Sequence, residues 1–449
     1  MTNPILIKNA TIVNEGKNFV ADVLVEEGII SKIGKLQLAS NYSIIDATGK
    51  YLFPGIIDAQ VHFREPGLTH KGDISTESKA AVAGGITSYL EMPNTTPDVL
   101  TQFLLEQKFG FAASQSFANY SFFMGVGDNN LHMIMNTDFK NVCGISDDGI
   151  NFQLCGNLIS ANPQYLEQVF SQCKGILAIH SEDDATIERN TKHFKEKYND
   201  QIPVECHPLI RSAEACFIAT KKAIALAEKH NTRLHILHLS TAKEVALFRN
   251  DIPLSEKKIT TEVCIHHLWF SNEDYKILGS KIKWNPAIKT KTDREELWKA
   301  MLDDRIDIIT TDHAPHTLQE KGRNYLKCPS GAPMVQHSLP AMLEFYHQGK
   351  ITLEKIAEKM CHNPALLYRI KNRGFLRKGY YADIVLVDLN APWTVCKKNI
   401  LYKCGWSPFE GQTFQSKITH TFVNGHLVYD NGQINETING QRLEFHPQK

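Results

Sequence analysis

Two regimes of hydrophobic patterning divide the chain. Residues 5–35 alternate apolar and polar side chains around Gly16 and Gly28, and the segments 382–388 and 419–429 behave likewise, as short strands separated by turns do. Neither end carries enough apolar surface to stand alone, so the two are expected to pair into one small β domain built from residues 1–52 and 380–449. Between them, over residues 53–379, apolar strands alternate with amphipathic helices. The strands are expected at 87–92, 122–126, 175–180, 234–238, 259–264 and 306–310. The helices are expected at 74–83, 163–172, 212–230, 241–248, 294–301 and 353–360. Repeated βα units of this kind call for a parallel sheet, closed or doubly wound. A polar stretch at 317–331, long for a βα loop, is read as a lid.

Length and charge narrow the function classes. At 449 residues the chain suits an α/β barrel with an appended module. Basic and acidic residues balance at 49 each with no long block of one sign, which gives a nucleic acid or an anionic membrane nothing to hold. A small-molecule substrate fits better. The ten cysteines form no C-x-x-C pair and read as buried thiols of a reduced protein. Residues 1–13 read as a strand with Lys8 inside it, not as a signal peptide, and no apolar run approaches the roughly 20 residues that span a bilayer. The protein is therefore expected to be cytoplasmic.

The candidate chemistry gathers where apolar runs end. Residues 306–309 run into Thr310-Thr311-Asp312-His313-Ala314-Pro315-His316, and a second apolar strand runs into Gln60-Val61-His62-Phe63-Arg64-Glu65-Pro66-Gly67. His180 and His238 close two further runs in the same way. A lone histidine at a strand end is usually a satisfied structural residue. Two of them, with His62 and Asp312 placed alike on other strands, point instead to a metal site, because imidazole and carboxylate are ligands zinc prefers. Arg64 lies on the same side of the chain as His62 and offers the planar fork that grips a carboxylate. The run Ser146-Asp147-Asp148-Gly149 is either a solvated turn or a ligand loop.

Taken together, these motifs resemble the cyclic amidohydrolases, and among them the dihydroorotases, over nearly the whole chain. The resemblance implies a (β/α)₈ barrel with a β-sandwich formed by both termini. It implies metal ligands His62, Asp148, His180, His238 and Asp312, with Asp148 bridging two metals in place of the lysine found in other branches and Asp312 also carrying the proton. It implies Arg64 and Asn94 for a substrate carboxylate, and Asn285 and His316 for the ring, with the backbone near Gly331 close by. His235, one layer deeper on the strand of His238, is assigned to packing or to support of a ligand, and His266 and His267 are left as polar loop residues.

Two departures from the family pattern shape the expectation. Gln60 stands where the first histidine of an H-x-H pair belongs, so one zinc is expected in the site of Asp148, His180 and His238, and the other site is expected to be weak. The usual Asn-Pro-Pro-Leu-Arg has become Asn285-Pro286-Ala287-Ile288-Lys289. The activity implied is the reversible cyclisation of N-carbamoyl-L-aspartate to L-dihydroorotate in pyrimidine biosynthesis, in a homo-oligomer taken as a dimer. The alternatives are a dihydropyrimidinase, hydantoinase or allantoinase, or an impaired scaffold associated with aspartate transcarbamoylase.

Overall fold

Four tight hairpins build the β-rich module, turning on Glu15-Gly16, Glu27-Gly28, Asn424-Gly425 and Asn431-Gly432, all with positive φ. Two-residue loops that match the twist of their strands need left-handed geometry at both positions, and glycine supplies the second at no steric cost. Two of these turns pack on each other: a Cβ on Gly425 would lie 2.6 Å from the Gly28 Cα. The lack of a side chain thus locks an N-terminal hairpin against a C-terminal one.

The computed structural model describes residues 4–37, 42–150 and 156–447. The first residues of the strand expected at 1–13, and Cys155, lie outside the described residues. A nine-stranded sheet runs Gln433–Ile434, His426–Asp430, Lys417–Val423, Ile384–Asp388, Tyr51–Pro54, Ile5–Asn14, Lys17–Glu26, Ile29–Gly34, with Ser43–Asp46 added beside Ile5–Asn14. Its centre joins the two ends of the chain, since Ile384–Asp388 pairs antiparallel with Tyr51–Pro54.

The central part closes into a barrel. Ile56–Val61, Ile86–Glu91 and Asn119–Phe122 form one parallel ladder. Met124–Gly125, Ile145–Ser146, Ile176–Ile179, Arg233–Ile236, Ile259–Cys264 and Ile308–Thr310 form another. Asn119–Phe122 and Met124–Gly125 are one strand that changes partner at Phe123, so the barrel has eight strands. The ring shuts where the His62 amide donates to the His313 carbonyl at 2.8 Å. Helices 74–83 and 163–172 fall where the periodicity places them. The helix expected at 241–248 shortens to Ala242–Val245, and that expected at 353–360 ends at Ala357 in a wider turn, Glu358–His362. Within that turn the buried Lys359 ammonium reaches the Ile306 carbonyl at 2.6 Å.

The segment 317–331 is folded rather than a loose strap. It opens with a short helix, Leu318–Lys321, and the buried Lys321 ammonium donates to the carbonyls of Pro329 and Gly331 at 2.9 and 2.8 Å and of Lys283 at 3.2 Å. Among the described residues no helix is long and apolar enough to cross a membrane.

Module and barrel are joined by a buried polar knot. Asp383 pairs with Arg373 and accepts from Asn119 Nδ2 on the third barrel strand at 3.2 Å and from the Asn424 amide at 2.8 Å. Both partners of the ion pair are nearly inaccessible, so removing one strands a charge. Arg373→Met should cost about 3–5 kcal/mol in chemical denaturation, and Arg373→Met/Asp383→Leu should recover most of it. A cost below about 1 kcal/mol for the single variant would show that the knot does not hold the two parts together.

Candidate active site

The strand period of two sets the first part of the site. Asp58, Gln60 and His62 share one face of the first barrel strand and its end, and all are buried. Asp58 anchors the neighbouring eighth strand, accepting from the Thr311 hydroxyl at 2.6 Å and its amide at 3.2 Å. Burial and the nearby Glu262 push Asp58 up, the Thr311 and Gln60 hydrogen bonds oppose them, and the carboxyl settles at about 7. His62 then meets Asp312 Oδ1 at 3.1 Å and Asp148 Oδ2 at 3.3 Å through Nε2. Its Nδ1 lies 2.7 Å from Asn94 Oδ1, an acceptor only. That bond puts the proton on Nδ1 and turns the Nε2 lone pair towards the carboxylates when the ring is neutral.

Asp148 stands at the centre. Its Oδ2 faces His62 and Gln60, and its Oδ1 lies 3.7 Å from His180 Nδ1 and 3.9 Å from His238 Nε2. Two groups of three donors therefore share it: His62, Asp148 and Asp312, and Asp148, His180 and His238, each with ligand atoms within 4.8 Å of one another. Burial disfavours the Asp148 charge, but the histidines His238 and His62 outweigh it and hold the carboxyl well below its usual range. The reverse holds for the imidazoles. Burial pulls His62 and His238 down, and the facing carboxylates lift both to about 9. Burial raises Asp312, against the pull of His62.

The cavity over these groups encloses about 510 Å³ and is lined by His62, Arg64, Asn94, Asn285, Asp312 and His316 among others. Arg64 is buried at φ 74°, with Nε donating to the Pro315 carbonyl at 3.2 Å. Burial lowers it to about 10, so it stays a cation near neutrality. Asn94 has its Oδ1 committed to His62, which leaves Nδ2 as its donor. Gly149 makes room for it, at φ +70° and with a Cβ that would lie 2.0 Å from Asn94 Nδ2. Asn285 brings a buried Oδ1 with no hydrogen-bond partner among the described residues. His316 lines the cavity with both nitrogens engaged, Nδ1 by Lys71 at 3.1 Å and Nε2 by the Ser330 carbonyl at 3.0 Å. His62, Arg64, Asn94, Asp148, His180, Asn285, Asp312 and His316 thus line one cavity, and His238 joins them through Asp148.

Three residues escaped the sequence reading. Glu182 is fully buried and accepts from His180 Nε2 at 2.9 Å, while Arg211 pairs with the same oxygen and lines the cavity. Burial opposes the Glu182 charge, yet Arg211 and His180 hold the carboxyl far below its usual range. Asp147, pushed up to about 7 by burial, accepts from the His180 amide at 2.9 Å. The available hint was position: Glu182 follows His180 by two residues, as Arg64 follows His62. His235 is held by Thr260 Oγ1 and Glu262 Oε2 at 2.9 and 3.1 Å.

The expectation for His266 and His267 needs correction. They are not polar loop residues: they sit buried on a short helix, Ile265–Trp269, directly after the seventh strand. Burial keeps both neutral, with His267 lowered to about 3. The pair sits in the apolar run Cys264-Ile265-His266-His267-Leu268-Trp269-Phe270, the cue to burial that the loop reading passed over, and Trp284 covers it by stacking on His266 at 4.1 Å.

An eight-stranded parallel barrel with clustered histidines and carboxylates at its strand ends and a β-rich module from both termini defines a class, and residues 51–428 match the amidohydrolase family. The chain belongs to that family and is by that membership a hydrolase. It is 31% identical over 421 residues to the dihydroorotase of Pyrococcus furiosus, covering 93% of this chain and 91% of that protein. It is 33% identical over 440 residues to the dihydroorotase of Bacillus pumilus, covering 96% and 99%. In fold it is similar to the L-hydantoinase (dihydropyrimidinase) of Arthrobacter aurescens, with a TM-score of 0.91 at 24% identity over 99% of this chain and 100% of that one. The dihydropyrimidinase of Brevibacillus agri gives 0.84 at 23% identity, covering 96% of each chain.

Glu182 generates a direct test. A carboxylate on the far nitrogen of a ligating histidine fixes its tautomer and raises its basicity. Glu182→Gln should weaken divalent-metal binding about 10–100-fold in competition with a chelator. Unchanged affinity would mean that the His180 orientation does not depend on this pair.

Proposed function

We propose that the chain is a zinc-dependent dihydroorotase, interconverting L-dihydroorotate and N-carbamoyl-L-aspartate. The observation that carries the reading is Arg64, a buried guanidinium that stays charged and lines the same cavity as the shared-carboxylate cluster. A neutral ring such as dihydrouracil gives a buried cation nothing to pair with; the ring carboxylate of dihydroorotate does. The dihydroorotase relatives support the same choice.

The nitrogen and oxygen donors fit zinc. His62, Asp148 and Asp312 would hold one ion, and Asp148, His180 and His238 another. Bound there, zinc supplies a Lewis acid and lowers the pKa of water from about 15.7 towards roughly 7. Arg64 grips the substrate carboxylate, and Asn94 Nδ2 adds a donor. Asn285 Oδ1, without a partner among the described residues, accepts from a ring N–H. Asp312, raised by burial, takes the proton of the attacking water and returns it to the departing ring nitrogen. In the reverse direction it withdraws the proton from the carbamoyl nitrogen as the ring closes.

A second reading rests on Gln60. Its Nε2 donates to Asp148 Oδ2 at 3.1 Å, where the family pattern has a ligand histidine. On that reading the chain is a catalytically impaired partner in an oligomer with aspartate transcarbamoylase. The remaining ligand set argues against it, since a scaffold has no need of donors converging on one buried carboxylate.

Purified protein with zinc should hydrolyse L-dihydroorotate, and Arg64→Met should lose about 2–5 kcal/mol in kcat/KM. Comparable activity on 5,6-dihydrouracil would sink the carboxylate specificity, and no turnover of either would favour the scaffold. Gln60→His should add an equivalent of tightly held zinc by elemental analysis, because imidazole replaces a neutral amide. An unchanged metal content would show that Gln60 does not limit the site of His62 and Asp312.

A further inference from the structure

Beside the shared-carboxylate cluster lies a second knot of soft donors that the reaction does not use. Cys264 ends the seventh barrel strand, and His266 and His267 open the short helix after it. One ligand atom from each of the three lies within 4.8 Å of the others, and all three residues are buried. Packing alone leaves this arrangement expensive. Among the described residues neither ring nitrogen of His266 has a well-formed hydrogen bond, although the Thr311 backbone is near, and His267 Nδ1 has no partner either. Buried polar atoms without partners cost about 1–3 kcal/mol each.

The tautomer of His267 is fixed from behind. Its Nε2 lies 3.2 Å from the Pro286 carbonyl, which can only accept, so Nε2 carries the proton and Nδ1 keeps its lone pair. This is how ligating histidines are usually backed. Gln60 links the two knots: its Nε2 donates to Asp148 Oδ2 and its Oε1 lies 3.5 Å from Cys264 Sγ.

We propose that Cys264, His266 and His267 form a separate zinc site, with Gln60 Oε1 beside Cys264 as a neighbouring oxygen donor. One thiolate, two imidazoles and an amide oxygen are a donor set that suits zinc. Binding releases the Cys264 thiol proton to solvent, and the nearby Glu262, Asp312 and Asp58 favour a cation there.

Cobalt(II) reports on this site without any turnover, because the ligands around Asp148 include no sulfur among the described residues. Chelator-stripped protein titrated with cobalt(II) should develop a near-ultraviolet thiolate-to-cobalt band. The band should vanish in Cys264→Ser, with the loss of an equivalent of zinc by elemental analysis, while circular dichroism stays unchanged. His267→Gln, whose side-chain amide can still donate towards Pro286, should weaken the band and decides the matter if Cys264→Ser fails to fold. Absence of the band at saturating cobalt overturns the proposal, as does a band that survives intact in Cys264→Ser or, where that variant does not fold, in His267→Gln. L-Dihydroorotate turnover in the same samples stands or falls separately.

Discussion

One buried carboxylate organises this molecule. Asp148 lies between His62 on one side and His180 with His238 on the other, at 3.3 to 3.9 Å. A carboxylate taken out of water is tolerated only if charge and hydrogen bonds replace its hydration. Here the replacement comes from residues on the first, fifth and sixth strands, far apart in sequence. Only a closed barrel brings those strand ends around a common point, so the His62–His313 closure and the site stand or fall together.

The same convergence strains the backbone. Arg64, His238 and Asp312 all adopt left-handed φ, at 74°, 38° and 47°, a region that costs residues with a Cβ on the order of 1–3 kcal/mol. Each is held from outside itself. Pro315 accepts from the Arg64 side chain, Glu262 Oε1 takes the His238 amide at 3.4 Å, and Trp284 Nε1 donates to the Asp312 carbonyl at 3.3 Å. Strain at three side chains around one cavity marks positions where aim, not local stability, decided the conformation.

Much of this was legible because strands that are buried on both faces read as apolar runs, and the polar residue that ends a run must face the barrel mouth. That logic placed His62, His180, His238 and Asp312 from sequence alone. It reached Asp148 only through the family resemblance, since the fourth strand is just Ile145–Ser146 and leaves no run to read. Glu182 and Arg211 were missed for another reason. Arg211 follows a short helix, His207–Ile210, and meets Glu182 only after the chain between them has folded back, a contact with no spacing rule. His266 and His267 failed in the opposite sense, because two histidines after a strand read as a loop although Ile265, Leu268 and Trp269 beside them mark a buried segment, which Trp284 covers.

Gln60 shows how a substitution can leave a fold intact while changing its chemistry. A histidine there would present a basic nitrogen to a metal beside Asp148. The glutamine amide instead donates a hydrogen bond to that carboxylate and leaves its oxygen facing Cys264. A neutral N–H satisfies one lone pair but cancels no charge, so Asp148 must draw its compensation from His238 and His62. The first strand still supplies His62, the shortest of these contacts at 3.3 Å, while on the fifth strand His180 is buttressed by Glu182 and Arg211.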